Sequence, residues 1–432
     1  MEADFDSTAS EGRVHRAMTL IAASLVVIAC SGILYLYPAV LALGAADGKA
    51  APVLASAYRI GAVDFVSPRV GWVVALLATG EVTLLRTADG GRSWKRQLSI
   101  QGDVHPQYMR FYSDKVGVFA LLGTRPILYR TSDGGTTWAL RPALAPGTSV
   151  VSWSFVDAEH GWMLARDAGA AAAAPVRLWR TMDGGITWKD MGPPLSPPEQ
   201  AYQVHFSDAS TGWLAASGRE ALAYRSDDRG ATWTRVALPA PNGGWPISGQ
   251  FFVGVQPTQG AGVLASVVYF PPIKGRTGVG ASIRAFPPLT VRSFDGGRPY
   301  TYTYTTVLDR LVVGGRTGAQ PPNETVLSTT DNGATWTAIR PPATSGAIGY
   351  FNARDWWWIG AGKWSASSDG GATWTDPRGI RAMEPLPGML QVLDGDHAWF
   401  AASAGTRPLL QSTDDAGRHW RVVTLPPLAV TL

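Results

Sequence analysis

Thr131-Ser132-Asp133-Gly134-Gly135-Thr136-Thr137-Trp138 reads as the end of one strand, a tight turn and the start of another, and the chain repeats this phrase along most of its length. The first copy is Thr87-Ala88-Asp89-Gly90-Gly91-Arg92-Ser93-Trp94. The pattern Ser/Thr-x-Asp-x-Gly-x-x-aromatic recurs at Thr181/Asp183/Gly185/Trp188, Ser226/Asp228/Gly230/Trp233 and Ser293/Asp295/Gly297/Tyr300. Three more copies fall at Thr329/Asp331/Gly333/Trp336, Ser367/Asp369/Gly371/Trp374 and Thr413/Asp415/Gly417/Trp420. Each position has a mechanical reason. The aspartate accepts hydrogen bonds from nearby backbone N–H groups and pins the turn, and the glycine two residues on supplies a positive φ at no steric cost. The hydroxyl closes the turn from the other side, and the aromatic ring opens the next strand by burying itself. The aspartates are therefore read as structural. Their spacing runs from 36 to 67 residues and averages about 47, the period of a four-stranded propeller blade.

A second phrase precedes the first in four units. Phe65 and Gly71-Trp72, Phe111 and Gly117-Val118, Phe155 and Gly161-Trp162, and Phe206 and Gly212-Trp213 each keep six residues from Phe to Gly. Val392 with Ala398-Trp399 and Phe351 with Trp357-Trp358 are weaker copies. A unit thus predicts a strand with an inward Phe, a tight turn, a strand opening on Gly-Trp, a strand ending in Arg-Ser/Thr, the aspartate turn, and a strand opening on Trp. The segment between Asp295 and Asp331 is cramped, with Thr305–Asp309 as the first strand of its blade. An insertion at Pro271–Pro288, a flexible connection at Asp167–Pro175 and a stiff linker at Pro193–Pro198 complete the plan.

The turn phrase resembles the Asp-box, or bacterial neuraminidase repeat, and the paired unit is most similar to propellers of the photosystem II stability and assembly factor family, over roughly Tyr58 to Leu425. The resemblance implies seven blades where eight boxes argue for eight. The expected fold is all-β, a propeller of seven or eight four-stranded blades over residues 58–432, preceded by one transmembrane helix. The resembled family holds newly inserted subunits of membrane complexes, so the resemblance implies a non-catalytic scaffold for protein partners. Sialidases also carry Asp boxes. They place Phe/Tyr-Arg-Ile-Pro before the first box, and Tyr58-Arg59-Ile60-Gly61 matches three of those four positions. That more distant likeness makes a glycoside hydrolase, with Arg59 as the residue to watch, or a glycan-binding propeller the alternatives. Fold by itself does not choose among them.

Composition supports a large core and a membrane end. Of 432 residues, 46% are hydrophobic and 16% charged, which excludes intrinsic disorder, and 49 Gly with 31 Pro suit many short strands joined by turns. Ala17 to Ala46 carries no charge, and its first 21 residues span about 31 Å as a helix, close to the hydrocarbon thickness of a bilayer. Residues 17–44 are therefore read as a signal anchor, 1–16 as a cytoplasmic tail and 45–57 as a linker, with the propeller on the extracytoplasmic side. Arg13 and Arg16 before the run nearly balance Lys49 and Arg59 after it, so this orientation rests on the short N-terminal tail. Val27-Ile28-Ala29-Cys30 resembles the lipobox of bacterial lipoproteins, which makes acylation at Cys30 the alternative tether.

For chemistry the residues offer little. A net charge of +4 without a Lys/Arg run excludes a nucleic-acid footprint, and one cysteine excludes a disulfide framework. No cofactor or metal is expected, since the six histidines are scattered and one carboxylate per turn cannot supply the six or seven oxygens of a calcium site. His160 and His205 are read as surface or capping groups. An arginine stands three residues before the aspartate in five units, at Arg86, Arg130, Arg180, Arg225 and Arg292. Rotation about the propeller axis turns these into an arc, able to take acidic peptides, phosphates or headgroups by bidentate contacts, or else tied to neighbouring carboxylates. Alternation sends Trp356 and Trp358 to one face of a strand and Trp357 to the other, for inter-blade packing or for contact with a ligand or the membrane interface.

Overall fold

The computed structural model describes residues 55–429, apart from 57, 103, 123–125, 143–147, 168–174, 198, 240–249, 258–262, 271–288, 296–297, 308–309, 314–323, 332, 340–345, 351, 353, 361–362, 376–387 and 405–406. The predicted unit appears in Tyr58–Phe65, Gly71–Leu77, Val82–Thr87 and Lys95–Ile100, an antiparallel meander in which Phe65 faces Gly71 and Arg86 faces Lys95. The phrase spacing sets this register. A Cβ on Gly71 would lie 2.1 Å from the Phe65 ring, and Gly117, Gly161 and Gly212 meet Phe111, Phe155 and Phe206 in the same way. The six-residue gap thus places a ring over a residue that has no side chain to obstruct it. Two more sheets repeat the meander over His105–Pro142 and Thr148–Gly192, and a third over Gly388–Val422.

The blade number differs from the expectation. The described strands form six blades, not seven or eight. One blade is an eight-stranded sheet holding two aspartate turns, because the end of Gly212–Gly218 pairs with Gln250–Pro257 at Ser217–Phe252 and Gly218–Phe251. Another has six strands, in which Leu289–Asp295, Arg298–Val307 and Arg310–Val313 form a ladder ahead of Gly346–Tyr350, Trp356–Gly360 and Lys363–Ser367. Thr305 is accordingly no start of a cramped strand but lies inside Arg298–Val307. Asp295 is also corrected: its strand continues through the supposed box, with Asp295 opposite Arg298 and Ser293 opposite Tyr300. The residue that closes the other turns is Ser93, Thr137, Thr187, Thr232, Thr335, Thr373 or His419, and here it is Pro299, which has neither an N–H nor a hydroxyl to offer.

Aromatic rings knit neighbouring units together. Trp72 stacks on Phe111 at 3.4 Å, Trp162 on Phe206 at 3.6 Å and Trp399 on Phe65 at 4.0 Å, the last joining the end of the chain to its beginning. Such pairs add about 1 kcal/mol to the burial of their area. Closure is completed by Ala55–Ser56, expected as linker, which pair with Leu428–Ala429, and by the Tyr58 hydroxyl donating to Pro426 O at 2.9 Å. Among the described residues no helix is long and apolar enough to cross a membrane. The expected tail 1–16, anchor 17–44 and Cys30 lie outside the described residues.

Candidate functional site

Two features decide what the ring presents: the face formed by its aspartate turns, and the inner edges of its blades. In the second turn Asp133 Oδ1 accepts from the Thr137 N–H (2.9 Å) and the Thr131 hydroxyl (2.9 Å), and Oδ2 accepts from the Thr137 hydroxyl (2.6 Å). Thr131 Oγ1 in turn accepts from the Gly135 N–H at 2.7 Å. The same bonds recur at Asp89, Asp183, Asp228, Asp331 and Asp369, and at Asp415 with the His419 ring in place of the hydroxyl. Gly135 and Gly185 hold φ of 86° and 85°, as expected of their place in the turn. The Gly134 N–H donates to Lys115 O, which brings the Phe–Gly hairpin loop to the same face.

These bonds shift the carboxylates. The Thr137 hydroxyl and then its N–H bring Asp133 down to about 2, and the hydroxyls of Thr329 and Thr335 bring Asp331 to about 2. At Asp415 burial is the largest influence and pushes the value up, yet the His419 N–H and ring still hold it at about 2. Every one of these carboxylates is engaged within its own turn, and among the described residues no group of three or more potential metal ligands occurs.

The arginines share a register but not an environment. Arg86, Arg130, Arg180 and Arg225 stand opposite Trp72, Val118, Trp162 and Trp213 on their sheets. Arg130 Nη2 pairs with Glu159 at 2.7 Å and Arg225 Nη2 with Asp227 at 2.6 Å. Arg86 lies 5.5 Å over the Trp72 ring, and among the described residues Arg180 Nη2 reaches only Met182 Sδ, at 3.7 Å. The Nε atoms of Arg86, Arg130 and Arg180 are buried without a partner. The stems also act as struts, since a Cβ on Gly134 would lie 3.5 Å from Arg86 Nε, and one on Gly184 3.1 Å from Arg130. Arg292 does not join them: its strand belongs to the inserted ladder, opposite Thr301.

The other sequence candidates take structural places. Arg59 lies across from Leu76 and makes no hydrogen bond or ion pair among the described residues. Burial pushes the neighbouring Tyr58 hydroxyl up to about 12, which works against a nucleophilic role. His160 Nδ1 sits 2.8 Å from Asp157 Oδ2, whose carboxylate caps the turn by accepting from the Glu159 and His160 N–H groups, while His205 is buried on Gln200–Phe206. Trp356, Trp357 and Trp358 are all buried, which leaves inter-blade packing as their role.

Sequence reasoning missed the caps along the inner strands. The Phe111 N–H donates to Asp64 Oδ2 (2.6 Å), Phe206 N–H to Ser154 Oγ (2.9 Å), Phe155 N–H to Tyr108 Oη (3.2 Å) and Phe65 N–H to Gln391 Oε1 (2.8 Å). Each cap comes from the preceding unit and satisfies an edge N–H that a blade leaves unpaired. Asp64 and Ser154 stand just before a Phe, and Gln391 holds the matching place before Val392, so a polar residue there was the signal; Tyr108, three residues before Phe111, carried none.

Solved structures with a similar chain path are YCF48 from Cyanidioschyzon merolae, at 13% identity and a TM-score of 0.45 over 83% of this chain and 96% of that one, and a YCF48 bound to D1 peptide, at 18% and 0.33 over 72% and 94%. A Niastella koreensis GH74 enzyme matches at 14% identity and a TM-score of 0.31 over 84% of this chain and 71% of that one. Likeness at this level assigns no function. No family model and no curated protein matches the chain.

Proposed function

We propose that this chain is a non-catalytic propeller, tethered to a membrane by residues 17–44 with its blades on the extracytoplasmic side, which serves as a protein-binding scaffold for the assembly of envelope or membrane-protein complexes. The observation that carries this reading is the guanidinium row of Arg86, Arg130, Arg180 and Arg225 at one register of successive units, with Arg86 and Arg180 lacking a carboxylate partner among the described residues. A guanidinium whose stem is already held by packing loses little freedom on taking a carboxylate in two-point contact. The test is capture from detergent-solubilised membranes followed by mass spectrometry, comparing the full chain with an Arg86→Gln/Arg130→Gln/Arg180→Gln variant. The scaffold reading expects a small set of envelope proteins that the variant loses at unchanged Tm. Equal capture by both proteins removes the arginines from the reading, and turnover of a fluorogenic sialoside replaces the scaffold with a hydrolase.

A further inference from the structure

The third aspartate turn differs from the others in what it shows to solvent. Met182 and Ile186 are 52% and 56% exposed. The matching positions elsewhere hold Ala88 and Arg92, Ser132 and Thr136, Asp227 and Ala231, Thr330 and Ala334, Ser368 and Ala372, and Asp414 and Arg418. No other turn presents two large apolar side chains.

Beside this tip two cations face each other. Arg180 stands directly opposite Lys189 on adjacent strands, an arrangement of like charges that weakens a sheet. Neither residue has an ion pair among the described residues; Asp190, next to Lys189, pairs with Arg177, and Asp227 with Arg225. The fourth turn packs onto this unit, where the Trp162 indole donates to Arg229 O at 3.0 Å and a Cβ on Gly230 would sit 2.8 Å from Leu178. Arg229 occupies the position that is Gly134 and Gly184 in the two preceding turns, at a left-handed φ of 66° that favours glycine. By the repeat, it faces Arg180 as those glycines face Arg86 and Arg130. Arg229 also forms no ion pair among the described residues.

We propose that the surface between the third and fourth aspartate turns docks an acidic segment of a partner polypeptide, its carboxylates meeting Arg180, Lys189 and Arg229 and its apolar side chains resting on Met182 and Ile186. The proposal rests on the scaffold reading and names the chemistry of the partner. A peptide fits better than a lipid surface because Glu159 and Asp227, with side chains 53% and 63% exposed, belong to the same pair of units. A broad anionic surface would be pressed against both carboxylates, whereas a single extended segment passes between them.

The test measures fluorescence anisotropy of a short labelled peptide of alternating Asp and Leu with the full-length protein in neutral detergent. Peptides of alternating Asp–Ser and Lys–Leu serve as comparisons. Binding of the Asp–Leu peptide is expected to weaken about tenfold or more in Arg180→Gln/Lys189→Gln and in Met182→Ser/Ile186→Ser, and to weaken in Arg229→Gly, where the backbone is relieved rather than strained. Arg235→Gln, on an outer strand where Arg235 pairs with Glu220, should change nothing. Absent binding, equal binding of the Lys–Leu peptide, or insensitivity to the paired variants overturns the site. So does binding of phosphatidylserine vesicles with the same dependence on the variants in place of the peptide. Membrane partners captured equally by the wild type and Arg180→Gln/Lys189→Gln would overturn this site and leave the scaffold standing. Peptide binding without any captured partner would do the reverse.

Discussion

Gly161 is glycine because Phe155 occupies its side-chain space, a Cβ there falling 2.3 Å from the ring. Gly161→Ala is therefore expected to lower stability by about 2 kcal/mol in urea titration, the usual cost of overpacking a rigid core. Gly395 makes the contrast: a Cβ would meet nothing within 4 Å, so Gly395→Ala should be neutral or raise stability by up to about 1 kcal/mol. Tyr108 is an instructive third case. Its hydroxyl donates to Phe155 O at 3.0 Å and accepts from Phe155 N–H, both buried, so Tyr108→Phe should cost about 1 to 3 kcal/mol through the polar groups it strands. The Phe–Gly pair is legible as a spacing because its members are neighbours across one hairpin. The Tyr108 contact crosses to a different unit, 47 residues away, and no local pattern announces it.

At the scale of the element, the aspartate turn is a self-contained device whose acid sensitivity follows from its hydrogen bonds. Folded Asp133, Asp331 and Asp415 titrate at about 2, whereas an unfolded aspartate does so near pH 4. A depressed folded value contributes stability that is fully present above the unfolded value and is lost as pH falls toward the folded one. The urea midpoint should hence stay level above about pH 5 and decline between about pH 4 and pH 2. Thr137→Val removes the hydroxyl most responsible at Asp133 and should make that decline shallower. A midpoint that falls only below pH 2 would contradict the assignment. Seven of the eight phrases were readable as turns because donor and acceptor lie within five residues of each other. The remaining one, at Asp295, contains Pro299 where the donor belongs, a departure visible in the sequence whose consequence, strand pairing carried through Asp295, emerges only from the ladder.

At the scale of the molecule, the ring depends on its last residues. Val423 lies under the first turn, 2.3 Å from where a Cβ on Gly91 would be, Thr424 O accepts from the Trp94 indole at 3.1 Å, and Gln391 accepts from Phe65 N–H and donates to Phe65 O. Removing residues 423–432 should lower Tm more than any single substitution above and broaden the calorimetric transition, since blades that no longer close the ring unfold with less cooperativity. The arginine row belongs to this scale as well. Its register could be counted along the chain, and so could Asp227 two residues after Arg225, but Glu159, which neutralises Arg130, comes from a hairpin loop of the next unit.

The amino-acid order alone determined the turns, the Phe–Gly hairpins, the propeller class and the positions of the arginines, because each is set by residues close together in the chain or repeated at a fixed interval. Tertiary structure decided the number of blades, the capping of the inner edges and the pairing of Arg130 with Glu159. These depend on edge-to-edge pairing and on the surroundings of each charge, and both are fixed only when units distant in the chain come into contact.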